Sequence, residues 1–355
     1  MPKTLLERAE AFRQKSQYKD ALGLIRSALK KTETGATRLE CLMALGDTHR
    51  MTGDFGSATN AYEEAVELAG WLKDTQTKTD AIVGLGLSKR GLGDWKSART
   101  LFKLAFDYYA KCWDEEGAAF CLWAEAGALR IQGEIPSAIN AFKQAKKAFG
   151  RLGDMPGVGY ALCGMGGTSR VKGAFANSLK YYTEANELFS ILKDTFGIAY
   201  SHCGMGNAMR MQGEYKPALV HFKKALGLYK KIGDIVSSAY TQWSLGKTHM
   251  MLGENKKAAP YFAEALRLFN KTRDPRGIIY CALCKAELQA LGGKEAAALK
   301  TLEGAASDAA ANGFGVEHCH ALALTSAIRG EKKSPACYKR LGLTLKFKTL
   351  PFNIP

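Results

Sequence analysis

Five arginines stand forty residues apart, Arg50, Arg90, Arg130, Arg170 and Arg210, and Met250 ends the series. The guanidinium is a planar fork with a permanent charge, and it pairs with carboxylate or phosphate through parallel hydrogen bonds. Five forks at a fixed interval can clamp an extended anionic ligand. The same residues can instead serve the fold, each offsetting the negative C-terminal end of its own helix or pairing with a nearby acid. Two features favour the clamp. Lysine would suit a helix dipole nearly as well, yet arginine recurs. Arg170 also persists where the following turn reads Gly173-Ala174 and lacks the acid found in the other units.

Other reactive side chains are fewer. Glu125 falls at the phase of Leu45, Leu85, Met165, Met205 and Leu245, which predicts a buried carboxylate in need of a partner or a raised pKa. An ion pair with Arg90 or Arg130 satisfies it structurally; an acid/base or ligand-binding role is the alternative, and Glu125 is the one catalytic candidate. Structural pairing is favoured, because ion-pair networks also occupy such positions. Cys281, Cys284, His318 and Cys319 lie about one repeat apart, and thiolate with imidazole can hold zinc. His318 and His320 share no helical face, however, and buried free cysteines are ordinary core residues, so neither metal nor other cofactor is expected. No nucleotide-binding loop, nucleophile triad or zinc-protease motif is present, and no strand precedes the glycine pairs.

The elements that carry these residues follow from the same period. Gly53-Asp54, Gly93-Asp94, Gly133-Glu134, Gly173-Ala174, Gly213-Glu214 and Gly253-Glu254 also recur every forty residues, the mark of a repeat architecture. In the unit from Gly157 to Asp194, small and apolar residues recur at helical spacing up to Lys172. Gly173 suits a helix C-terminus, where positive φ is often needed. Leu179, Tyr182, Ala185, Leu188, Phe189 and Leu192 then mark one face of a second helix. Asp194, like Asp74, Asp114, Asp154, Asp234 and Asp274, stands where an N-cap is required. Gly46, Gly86, Gly166, Gly206 and Gly246 in the first helix, and Ala58, Ala98, Ala138, Ala218 and Ala258 in the second, let the two backbones approach closely.

Leu45-Gly46, Gly53-Asp54-Phe55, Ala58, Tyr62, Ala65 and their copies resemble the tetratricopeptide repeat over nearly the whole chain. The extended forty-residue unit is similar to the subgroup of kinesin light chains, bacterial Rap regulators and spindle-orientation adaptors. Glu125-Ala126, Ala174 and Ser178 depart from the pattern. The resemblance implies an all-α, right-handed α-solenoid of tandem helix-turn-helix repeats whose first helices line a concave groove. The groove rows would then be an aromatic edge (Phe120, Tyr160, Tyr200, Tyr240, Tyr280), a second row with Trp123 and Trp243, a floor of small residues, a row ending in Asn207 and Lys247, and the arginines. Tyrosine at a helix seam also packs with its hydroxyl toward water, and a small-residue floor serves helix packing as well as ligand approach.

Residues 1–328 are expected to form about eight helix pairs and a final helix, and 329–355 a basic cap or tail. The first unit, Thr4 to about Lys31, is offset, since Tyr18 and Ala21 precede Phe55 and Ala58 by 37 residues. The net charge of +16 favours acidic partners. No apolar run of about 18 residues predicts a membrane span, and no signal peptide is visible behind Met1-Pro2-Lys3. Nine scattered cysteines predict reduced thiols in a cytoplasmic protein. The expected function is a scaffold or adaptor holding an acidic extended peptide or protein segment. The alternatives are a peptide-responsive regulator of the Rap type, an enzyme or enzyme subunit acting on an anionic small molecule, and nucleic-acid binding through net charge.

Overall fold

The computed structural model describes residues 2–15, 17–331, 336–347 and 349–355. Every regular element among them is a helix. The first eight are α1 (Pro2–Gln14), α2 (Tyr18–Leu29), α3 (Ala36–Met51), α4 (Phe55–Trp71), α5 (Thr75–Gly91), α6 (Trp95–Lys111), α7 (Glu115–Gln132) and α8 (Ile135–Leu152). Then come α9 (Met155–Lys172), α10 (Phe175–Leu192), α11 (Thr195–Met211), α12 (Tyr215–Ile232), α13 (Ile235–Met251), α14 (Asn255–Thr272), α15 (Pro275–Leu291), α16 (Glu295–Ala311), α17 (Gly315–Ile328) and the short α18 (Cys337–Arg340). Each helix packs on the next along the chain, and α1 to α16 form eight pairs of an α-solenoid.

The small residues set the pair geometry. A Cβ added at Gly46 would stand 2.8 Å from the ring of Tyr62, and one at Gly206 or Gly246 2.8 Å from Phe222 or Phe262. The ring of the second helix thus lies flat on bare backbone of the first. Ala58, Ala98, Ala138, Ala218 and Ala258 are all fully buried at the same seam.

The turn acids divide by length. Asp54, Asp74, Asp94, Asp114, Asp154, Asp194, Asp234 and Asp274 each accept a hydrogen bond from the backbone N–H three residues on. Such a cap contributes about 1 kcal/mol. Glu134, Glu214 and Glu254 make no cap bond, so Ala174 lacks nothing that those glutamates supply to the helix end.

The turn glycines do more than end helices. The solenoid completes a superhelical turn, and its later helices return against its earlier turns. A Cβ on Gly53 would stand 2.8 Å from Val236, and one on Gly93 2.7 Å from Pro275 and 3.0 Å from Phe314. Gly133 faces Leu341 and Gly173 faces Thr344, whereas Gly213, Gly253 and Gly293 face open space. The Trp95 indole donates to Asn312 O at 3.0 Å across this contact, and α7 touches α17. The concave groove is thereby enclosed as a channel.

The C-terminal residues pack on this ring. Thr344 donates to Lys172 O from both its N–H and its hydroxyl, each at 2.9 Å. Leu343, Leu345, Phe352 and Ile354 are buried. Of the basic residues expected to mark this tail, Lys332, Lys333 and Lys348 lie outside the described residues. Cys337 of α18 is disulfide-bonded to Cys319 of α17. The expectation of reduced thiols is corrected for this pair, because the tail folds back to bring their Cα atoms within 6.0 Å. The other seven cysteines are free.

Candidate functional site

The channel encloses a cavity of about 730 Å³ lined by Arg50, Arg90, Arg130 and Arg170 on one side. Phe120, Trp123, Tyr160, Tyr200, Tyr240, Trp243 and Tyr280 also line it, with Asn207 among them. These side chains meet because they share one helical face in each first helix and the forty-residue period repeats that face from α3 to α15. Arg210 and Lys247, of the same rows, do not line the cavity; both are fully buried.

The arginines differ in what they touch. Arg50 lies 3.6 Å from Asp47, and Asp47 also accepts from Tyr62 at 2.6 Å and Arg13 at 3.2 Å. Arg90 donates to Ala124 O at 2.9 Å and lies over the Trp123 ring, 5.5 Å from its centroid. Burial, with the neighbouring charge of Arg130, pulls its pKa down to about 10, so it stays protonated at neutral pH. Arg130 and Arg170 have no acid within ion-pairing distance and no side-chain hydrogen bond among the described residues, and the buried Nε of each has no partner.

The glycine row explains how these cations fit. A Cβ on Gly127 would stand 2.5 Å from an Nη of Arg90, and one on Gly167 2.5 Å from an Nη of Arg130. Each guanidinium thus lies across the next first helix where that helix has no side chain. In the next two units the row changes to Asn207 and Lys247, and the arginine environment changes with it. Arg210 bonds to Asn207 at 3.2 Å, to Ile354 O at 3.0 Å and to the Asn353 side chain. Its burial, helped by the charge of Arg170, lowers its pKa to about 9.

The aromatic row joins both packing and channel. Tyr160 donates to Asp194 at 2.6 Å, Tyr240 to Asp274 at 2.7 Å and Tyr280 to Glu317 at 2.8 Å. Two of these acceptors are the N-caps of the next first helix, so each hydroxyl ties one unit to its neighbour. Tyr200 stacks on Phe196 with ring centroids 5.9 Å apart. Phe120 lies 5.3 Å from Trp123, and the Trp243 indole donates to Tyr280 O at 3.3 Å.

Glu125 is not buried. It is about one-third exposed and pairs with Arg99 at 3.1 Å, not with Arg90 or Arg130. Its helix face turns toward α6, whose Arg99 reaches over the seam and also bonds Gln132 at 2.9 Å. Glu125 does not line the channel. The four metal candidates are also dispersed in their contacts. Cys281 and Cys284 are buried, Cys319 is in the disulfide, and no group of three metal-ligating side chains occurs among the described residues.

Three charged residues were missed. Glu287 lies forty residues after Lys247, continues the row of Asn207, and pairs with Lys247 where neither is exposed. Burial raises the Glu287 pKa and the Lys247 charge opposes that rise. Its signal was a lone acid inside Cys284–Leu291, a helical segment otherwise mostly apolar. Arg276 lines the channel but is neutralised by Glu317 at 2.7 Å; these two lie forty-one residues apart on successive first helices, outside the arginine series.

The geometry is that of a helix-pair repeat solenoid with an enclosed, cationic and aromatic channel. Residues 39–70 match the family model of the tetratricopeptide repeat. Among curated proteins, no sequence matches the chain. Solved structures with a similar fold include the Rap conjugation gene regulator of plasmid pLS20 in complex with the Phr* peptide, at 14% identity and TM-score 0.66, covering 87% of this chain and 95% of that one. NprR in complex with its cognate peptide NprX aligns at 15% identity and TM-score 0.62, over 96% and 97% of the two chains. A Rap protein complexed with Competence and Sporulation Factor aligns at 14% and TM-score 0.61, over 93% and 97%. Residues 39–70 are thus matched as a tetratricopeptide repeat, and in fold the chain resembles the Rap regulators. No helix among the described residues is long and apolar enough to cross a membrane.

Proposed function

We propose that this chain is a peptide-binding regulator or scaffold whose channel holds an extended acidic segment against Arg90, Arg130 and Arg170. The observation that carries this reading is the lack of acid partners for part of the cation row, since the aspartates that also line the channel, Asp154, Asp234 and Asp274, are each engaged as a helix N-cap. Of the cations lining the channel, Arg50 and Arg276 have acids beside them; Arg130 and Arg170 have none within ion-pairing distance among the described residues. Each unneutralised guanidinium also depresses its neighbours' pKa, Arg130 acting on Arg90 and Arg170 on Arg210. A ligand carboxylate would relieve that repulsion and satisfy the orphaned donors. The aromatic wall supplies apolar contact for the rest of the segment. The similar folds of NprR and the pLS20 Rap regulator, solved with peptides bound, agree with an extended peptide as occupant.

The test is titration of a labelled synthetic peptide rich in Asp and Glu, and its Asn/Gln counterpart, into the full chain and the variant Arg130→Ala/Arg170→Ala. Charge-assisted bonds contribute roughly 1.5–3 kcal/mol each, and the open ends of the channel reduce this. A net loss of about 2 kcal/mol, roughly thirtyfold in Kd, is expected, with little change in thermal stability. Equal affinity of the folded variant, or no preference for the acidic peptide, would refute the reading.

A further inference from the structure

The polar end of the channel already holds a peptide, and it is the chain's own. Asn207, Lys247 and Glu287 occupy one phase in three successive first helices, and with Arg210 they form a buried polar cluster. Residues 352–354 lie on it. The Phe352 N–H donates to Glu287 at 2.6 Å. The Asn353 amide donates to Arg210 O at 2.7 Å while its oxygen accepts from the Arg210 guanidinium. Arg210 also donates to Ile354 O at 3.0 Å. Phe352 is buried and stacks on Phe347 at 4.6 Å, and Pro355 reaches the cavity that Arg130 and Arg170 line.

This is an arrangement for reading a backbone. An acid takes an amide N–H, a cation takes a carbonyl, and one side-chain amide is held by both a donor and an acceptor. These groups are costly to bury unless partnered, and the C-terminal segment provides partners for them. The contacts come from two first helices, Arg210 on α11 and Glu287 on α15, so the segment also bridges α11 and α15.

We propose that Asn207, Arg210, Lys247 and Glu287 form a peptide site that takes an aromatic-Asn-aliphatic segment, and that residues 350–355 are its tethered occupant, competing with ligands that enter the channel. The competition rests on the acidic-segment reading of the neighbouring arginines; the tethered occupancy does not.

Two measurements on the full chain test this. Amide hydrogen exchange of Phe352, Asn353 and Ile354, the segment's exchangeable N–H groups shared with the free hexapeptide, reports occupancy directly. In the native chain it is expected to be at least about a hundredfold slower than in the free hexapeptide Leu-Pro-Phe-Asn-Ile-Pro, as for other structured segments. Exchange at the free-peptide rate overturns the proposal. The second measurement is anisotropy titration of that hexapeptide, labelled, into the native chain and into Phe352→Ala/Asn353→Ala. Loss of the tail's side-chain contacts should tighten binding in trans by about tenfold or more, while exchange in α11 and α15 verifies that the fold is kept. Equal binding to both proteins overturns the competition. Failure of the acidic-peptide titration with the tail still protected would refute only the arginine reading; an unprotected tail with acidic peptide still bound would refute only this one.

Discussion

Acidification should loosen the C-terminal part of the solenoid through one histidine. His320 is fully buried; its Nδ1 lies 2.7 Å from the Tyr338 hydroxyl, and its Nε2 is buried without a partner. Burial pulls its pKa from 6.5 down to about 4, against the opposing effect of Glu317 and with help from Arg276 and Lys247. The native state therefore keeps His320 neutral where the unfolded chain would take up a proton. The sign follows from linkage: this contribution is intact above pH 6.5 and is lost as pH falls toward 4. With those two values, about 2 kcal/mol of stability disappears between pH 7 and pH 4.5. Glu317, held below its usual range chiefly by Arg276 against the effect of burial, loses its own contribution at lower pH, so the measurement must be a difference. Urea unfolding followed by circular dichroism would be run from pH 7 to 4.5 on the native protein and on His320→Gln, which keeps a hydrogen-bonding group toward Tyr338. The variant's stability should fall less by about 2 kcal/mol over that range. Parallel pH profiles would show that His320 is not a buried neutral group, and the packing described for α17 and α18 would be wrong.

Two further outcomes are expected. Gly93 and Gly253 have similar positive φ, +86° and +76°, but only Gly93 faces Pro275 and Phe314. Gly253→Ala should cost about 1–2 kcal/mol for the left-handed backbone, and Gly93→Ala a further 1–3 kcal/mol for overpacking; equal costs in thermal unfolding would refute closure of the superhelix at this turn. Glu125→Gln should change stability by less than about 1 kcal/mol, because its partner Arg99 is itself one-third exposed and surface pairs contribute little. A larger loss would place Glu125 in the core after all.

The repeat, the helix boundaries, the aspartate caps and the face shared by the arginines, tyrosines and tryptophans were all legible in the chain, because each depends on residues within one forty-residue unit and its copy. Helical period and the chemistry of an N-cap are local, and a strict repeat projects one local solution along the array. What escaped that reasoning depends on the superhelix closing. Whether Gly53 and Gly93 meet open solvent or a helix some 180 residues later is set by small rotations summed over several units, and no single unit encodes the sum. The same holds for the tail, whose composition suggested a cap or a free arm. Its seat against Glu287 and Arg210 exists only because the ring carries α9, α11 and α15 around to it. Glu125 shows the limit within a unit: its phase predicted burial, but a long arginine on the preceding helix allows a carboxylate to stay at the seam and remain partly in water. The arginine row divides for the same reason. Five equal residues in the sequence become one paired with Asp47, one resting on an indole, two with neither an acid nor a side-chain hydrogen bond among the described residues and one bonded to residues 353–354, according to what the fold brings beside each guanidinium.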